Sequence, residues 1–247
     1  MLHRERVIAA LEAKADRFAG YQVGMDDAQR ALEQALDHLA AMDRAEIEAR
    51  LEGISSPGAR PTVEHDQHGV MVPFDQHWEN HEQARAWARD VLLGVPTAAV
   101  DGSQITPSKE ISLPVGAIQI GWFANPHDAE QDYTKDIAFE ILAPDELGDD
   151  EEGVLGFPDR EVNARRFVQE CEKLVELIEA AQDAQVKPIC FFDGSLVISF
   201  VQHMDSAQQH RYVGAVTALL SASEACRVPV VGYIDGSYAK DLVAMLT

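Results

Sequence analysis

Apolar positions over residues 1–52 recur at helical spacing, most regularly over 26–52, where Leu32, Leu36 and Leu39, and then Ile47 and Leu51, recur at three- to four-residue spacing. They form one apolar stripe on an otherwise charged helix. Such a stripe either packs on its own domain or serves as a docking face for a second copy or a partner. Residues 53–80, GISSPGARPTVEHDQHGVMVPFDQHWEN, are rich in Gly, Pro, Ser and His and read as a loop or linker. A further helix is expected over 81–93, ending at Gly94. After Pro96 the period shortens. TAAVDGS (97–103), VGAIQIGWFA (115–124) and DIAFEILA (136–143) read as strands joined by turn-rich stretches, which favours an antiparallel meander. A long helix over 159–185, a strand KPICFFDGS, a helix over 205–226, a strand VPVVGYIDGS and the start of a last helix follow. The last two strands are short apolar runs separated by a helix, as in parallel pairs joined by a right-handed crossover. The expected fold class is α/β: a mixed sheet of three antiparallel strands, then parallel strands with helical crossovers. A helical extension over 1–95 precedes this second domain, 96–247.

Composition narrows what such a domain does. The 247 residues hold 42 Asp and Glu against 20 Lys and Arg, a formal net charge of −22. A protein that grips nucleic acid mainly by neutralising phosphates needs a basic surplus, so any nucleic-acid role rests on a local site. Three cysteines without CxxC spacing give neither a disulfide framework nor a cysteine zinc site. No run reaches the length of a signal peptide core or a membrane span, so a soluble cytoplasmic protein is expected.

The tripeptide Asp-Gly-Ser occurs at 101–103, 193–195 and 235–237, each time after an apolar strand. Asp-Gly-Ser is good turn chemistry on its own. Three copies at strand ends in one domain suggest more: neighbouring strands that end in Asp bring carboxylates together, and a hard divalent cation relieves their repulsion. On the helix over 159–185, Phe167, Cys171, Leu174, Leu177, Ile178 and Ala181 share one face and Glu170 falls at its border, while Glu172, Glu176 and Glu179 point away. Glu170 is therefore the preferred third carboxylate, with Glu140 in AFEILA its rival.

Three inward carboxylates on this framework resemble the ribonuclease H fold. The motifs VDGSQ (100–104), IQIG (118–121), RFVQE (166–170), FFDGSL (191–196) and GYIDGSYAKDL (232–242) resemble those of the NurA family of DNA-end-processing nucleases. The resemblance implies that Asp101, Glu170 and Asp193 are catalytic metal ligands, with Asp235 where related enzymes carry a fourth carboxylate. It implies Mn2+ as cofactor, with Mg2+ as the alternative, and linear DNA, single- or double-stranded, as substrate. It further implies a HerA-type hexameric ATPase as partner in double-strand break repair, and a homodimer. The family generally carries aromatic, acidic or histidine residues near its C-terminus. This sequence stops at Thr247, a few residues into the last helix, and shows no such C-terminal segment, so a C-terminal truncation or a member lacking that segment is expected.

Two-metal-ion phosphodiester hydrolysis, with cations about 4 Å apart, suits this set. Carboxylate-only ligation suits Mg2+ or Mn2+ rather than Zn2+. Ser103 and Ser195 lack a GxSxG context and are not read as nucleophiles. His65, His68, His77 and His81 lack metal-site spacing and read as surface residues. Without GxxxxGK[ST] the chain hydrolyses no ATP itself. Lys109, Lys135, Arg165 and Arg166 are candidate phosphate contacts, and 145–152, DELGDDEE, is expected as an exposed acidic loop. Residues 96–247 hold 25 acidic and 10 basic side chains, against 17 and 10 in 1–95, so a partner that presents the DNA is expected. Two other readings stand beside the nuclease: a non-catalytic adaptor that docks an ATPase, and an RNA-directed hydrolase of the same fold.

Overall fold

The computed structural model describes all residues except 1–2, 71–73, 109, 111, 148–157, 236–239 and 247. Its elements are α1 (Arg4–Glu12), α2 (Ala15–Ala40), α3 (Arg44–Leu51), α4 (His65–His68), α5 (His81–Leu92), β1 (Thr97–Ile105), β2 (Gly116–Asn125), β3 (Thr134–Leu142), α6 (Pro158–Ala180), β4 (Ile189–Asp193), α7 (Ser206–Cys226), β5 (Val230–Tyr233) and α8 (Asp241–Leu246). They fall into two compact units, 1–77 with 237–247, and 78–236.

In the first unit the stretch over 26–52 is not one helix. The chain breaks after Ala40 and restarts at Asp43, whose carboxylate accepts from the Glu46 N–H at 2.8 Å while Glu46 accepts from the Asp43 N–H at 3.1 Å. This reciprocal cap satisfies two otherwise orphan donors. It lets the stripe turn a corner, so that Leu39, Ile47 and Leu51 form a small core with Leu36, Met42, Met245 and Leu246. The remainder of the stripe stays outside it: α1 and α2 have no buried residue before Leu39, and Phe18, Tyr21, Val23 and Met25 are all more than half exposed. Within the region expected as a loop, His65–His68 makes a single helical turn, and His65 Nε2 lies 3.0 Å from the Met42 carbonyl oxygen.

The second unit is built on a five-stranded sheet of order β3-β2-β1-β4-β5. β1 pairs antiparallel with β2 and β2 with β3, while β1–β4 and β4–β5 are parallel. This is the expected ribonuclease H-like arrangement. One face is closed by α6, whose Val162, Cys171, Leu174 and Ile178 join Ala98, Val100, Ile118, Ile120 and Phe192 in a single core to which α7 adds Val216 and Leu219. Glu172, Glu176 and Glu179 face solvent. α6 ends at Ala180 rather than near 185, and the Ala181 carbonyl just beyond accepts from Lys187 Nζ at 3.1 Å. The three cysteines are buried and unpaired.

The stretch 145–152 is not uniformly exposed: Leu147 is fully buried in the core and Glu146 lies 3.5 Å from Arg165, while 148–152 fall outside the described residues. No helix among the described residues is long and apolar enough to cross a membrane.

Candidate metal centre

Parallel pairing of β1 with β4 runs from Thr97 opposite Ile189 to Val100 opposite Phe192. The next residues in that register are Asp101 and Asp193. Both are exposed, whereas Val100 and Phe192 are buried, so strand alternation turns the two carboxylates to the same side, away from the covered face. Only the second Asp closes its strand. β1 continues beyond Asp101, pairing with β2 as far as Ile105 opposite Ala117.

The glycine after each Asp therefore has a different use. Gly194 sits at φ 149°, a conformation side chains resist. Gly102 makes no turn. A Cβ there would collide with Glu170 Oε1 and come within 2.8 Å of Arg166 Cγ, so its bare Cα is what allows α6 to approach the strand. In the third copy, Asp235 is exposed two residues past the end of β5, and Gly236 and Ser237 lie outside the described residues.

Glu170 is 5% exposed and is the buried charged residue of the core. Its Oε1 accepts from Arg166 Nη1 at 2.6 Å, and the same Nη1 donates to the Gly102 carbonyl at 3.0 Å. The Glu170 carboxyl is pushed up to about 7, chiefly by burial; the Arg166 charge and the Gly102 backbone hydrogen bond oppose the rise, and the negative charges of Asp101 and Asp193 add to it. The last two causes tie the three residues into one electrostatic neighbourhood. Arg166 Nε has no hydrogen-bond partner among the described residues.

Glu140 is engaged elsewhere, accepting from Arg165 Nη1 at 3.3 Å and from Gln169 Nε2. Arg165 also binds Glu161 at 2.8 Å, and Glu161 takes Arg211 at 2.6 Å. Arg165 is thus held within an ion-pair network, and Arg166 is held by Glu170. Lys135 is exposed on β3 and lines, with Asp101, Ser103, Gln119, Phe123 and Ile137, an open depression of about 530 Å3 on the uncovered face. Lys109 lies outside the described residues. Ser195 Oγ donates to the Val197 carbonyl at 2.8 Å and accepts its N–H at 3.1 Å, a local turn.

The donor chemistry of Asp101, Glu170 and Asp193 fits a hard divalent cation, and their mutual repulsion favours one. Their spacing does not complete a site: among the described residues no three His, Cys, Asp or Glu side chains gather closely enough to hold a metal ion, and this includes the four histidines. The direct partner of the Glu170 carboxylate is a guanidinium. Arg166 in this role went unread in the sequence, although its i,i+4 spacing to Glu170 was there to be seen.

A mixed sheet with two acidic side chains one residue beyond the parallel β1–β4 pairing, and a buried helix glutamate near them, defines an acidic-site protein of ribonuclease H-like fold. The sequence model of the NurA domain matches residues 95–246, and the chain belongs to this family of nucleases. No curated protein and no solved structure matches it.

Proposed function

We propose that the chain is a manganese-dependent deoxyribonuclease that processes linear DNA ends in double-strand break repair, as a cytoplasmic homodimer working with a HerA-type hexameric ATPase. The observation that carries this reading is the β1–β4 register, which makes Asp101 and Asp193 neighbours beside a glutamate whose charge both disfavour. Asp101, Glu170 and Asp193 would hold Mn2+ or Mg2+, with Asp235 as a further ligand. Such cations, when bound, supply an activated water and stabilise the leaving 3′-oxygen of a phosphodiester. The chain itself contributes the position of the Asp101 and Asp193 carboxylates, one within β1 and one at the end of β4, and Lys135 as a phosphate contact on the same face. With a net charge of −22, it depends on a partner to bring DNA to the site.

Mn2+-dependent degradation of labelled linear DNA tests the proposal. Asp101→Ala and Asp193→Ala should each lower the rate at least about a thousandfold with an unchanged circular dichroism spectrum. Intact activity in both variants would sink it, and preferential cleavage of labelled RNA would reassign the substrate. The lack of a three-carboxylate grouping among the described residues favours one second reading, a non-catalytic adaptor that docks an ATPase. An adaptor takes up no stoichiometric Mn2+ in a calorimetric titration.

A further inference from the structure

Beside Asp101, the open face of the sheet carries two aromatic rings and a cation. Phe123 and Tyr133 lie 5.1 Å apart between ring centroids, tilted by 31°, and Lys135 Nζ is 5.7 Å from the Tyr133 centroid. Both rings stand partly in water, 39% and 52% exposed, which leaves flat apolar area uncovered. The strand register sets them next to the candidate site. Asp101 lies opposite Gly121, and Phe123, two residues on from Gly121 and opposite Lys135, faces the same side of the sheet. Diagonal neighbours of this kind are about 7 to 8 Å apart. Gly121 puts no side chain between them, since a Cβ there would meet nothing nearer than the Asp101 carbonyl oxygen at 3.8 Å. The result is the depression lined by Asp101, Ser103, Gln119, Phe123 and Lys135.

We propose that the Phe123–Tyr133 corner is a stacking site for an unpaired nucleobase of the DNA strand that enters at Asp101. The proposal rests on the nuclease reading of Asp101. Stacking needs a flat ring with an accessible face and accepts any base. Phe123 and Tyr133 supply the rings, Lys135 a positive charge for the adjoining phosphate, and Ser103 and Gln119 hydrogen-bonding groups for a base edge. Aliphatic side chains alone would suit a docked protein segment, whereas an aromatic pair beside a lysine suits a base next to its phosphate. A base inside a duplex has both faces covered by its neighbours, so the corner selects single-stranded ends over paired DNA. In a chain of net charge −22, stacking also supplies binding that does not depend on neutralising phosphates.

Nuclear magnetic resonance titration of the full chain with a deoxythymidine trinucleotide, in EDTA and low salt, reads the Phe123 and Tyr133 ring resonances, assigned by their loss in Phe123→Leu and Tyr133→Leu. Both rings should shift with the trinucleotide, and an abasic trinucleotide of the same backbone should leave them in place. Each Leu variant should weaken trinucleotide binding about tenfold, while Phe123→Tyr stays within about twofold of wild type. Both positions are exposed, so the variants should keep the wild-type circular dichroism spectrum. Unmoved ring resonances, equal shifts with the abasic probe, or unchanged affinity in both Leu variants overturn the stacking site. The two readings fail separately. Degradation of linear DNA by a wild type whose rings do not shift removes the stacking site alone. Ring shifts in a chain whose DNA cleavage survives both Asp101→Ala and Asp193→Ala uphold the stacking site and remove the catalytic assignment.

Discussion

Alternate residues along β1, β2 and β3 meet two different surroundings. Those facing α6, namely Ala98, Val100, Ile118, Ile120 and Leu142, are at most 4% exposed, while Ile105, Phe123, Ile137, Phe139 and Ile141 on the opposite face are 39% to 68% exposed. Hydrophobic content does not explain the split. In β3 the apolar set Ile137, Phe139 and Ile141 lies on the open face, and Glu140 lies on the covered one, where Arg165 and Gln169 satisfy it. Alternation tells which residues share a face; the helix that lands on the sheet decides which face becomes core. The two faces also divide the candidate site, since Asp101 belongs to the open face and Glu170 to the covered one.

The comparison breaks most directly under paired truncations. Ile118→Ala should cost about 2 to 5 kcal/mol in urea denaturation, whereas Phe139→Ala, on the other face, should change stability by no more than about 0.5 kcal/mol. Equal costs would mean that the open face is covered in solution.

Proton binding sharpens the contrast at the site. The folded Glu170 carboxyl sits at about 7, above its ordinary 4.5, so between those values the folded state holds a proton that the unfolded chain has released. Stability from this group is therefore full at pH 4.5, falls as pH rises to 7 and is level above, a loss of about 3 kcal/mol. Denaturation in EDTA across pH 5 to 8 should show this decline, and Glu170→Gln should remove it.

The smallest effect separates two glycines on the neighbouring strands β1 and β2, Gly102 opposite Ile120 and Gly121 opposite Asp101. Gly102→Ala should destabilise by about 1 to 3 kcal/mol because its Cβ meets Glu170 and Arg166. At Gly121, opposite Asp101, a Cβ meets nothing nearer than the Asp101 carbonyl oxygen at 3.8 Å, so Gly121→Ala should be tolerated. Melting temperatures of the two variants check the difference.

Much of this architecture is legible in the chain because it depends on local periodicity. The change from helical to strand spacing after Pro96, and the helices between the last strands, lead to antiparallel pairing of β1 to β3 and parallel pairing of β4 and β5, as found. Glu170 at the border of an apolar helix face also follows from spacing, and it is buried. The Asp43–Glu46 cap that breaks the helix over 26–52 was equally local, an Asp-x-x-Glu pattern in plain view.

The sequence by itself determined most of the elements, their order and the acidic residues that follow apolar strand segments, because strand and helix periods and turn chemistry act over a few residues. Only the tertiary structure decided which face of β3 is covered, that Gly102 serves clearance rather than a turn, and that Arg166 holds Glu170. Each of those depends on where α6 lies against β1, a contact between residues some 64 positions apart in the chain that no local pattern encodes.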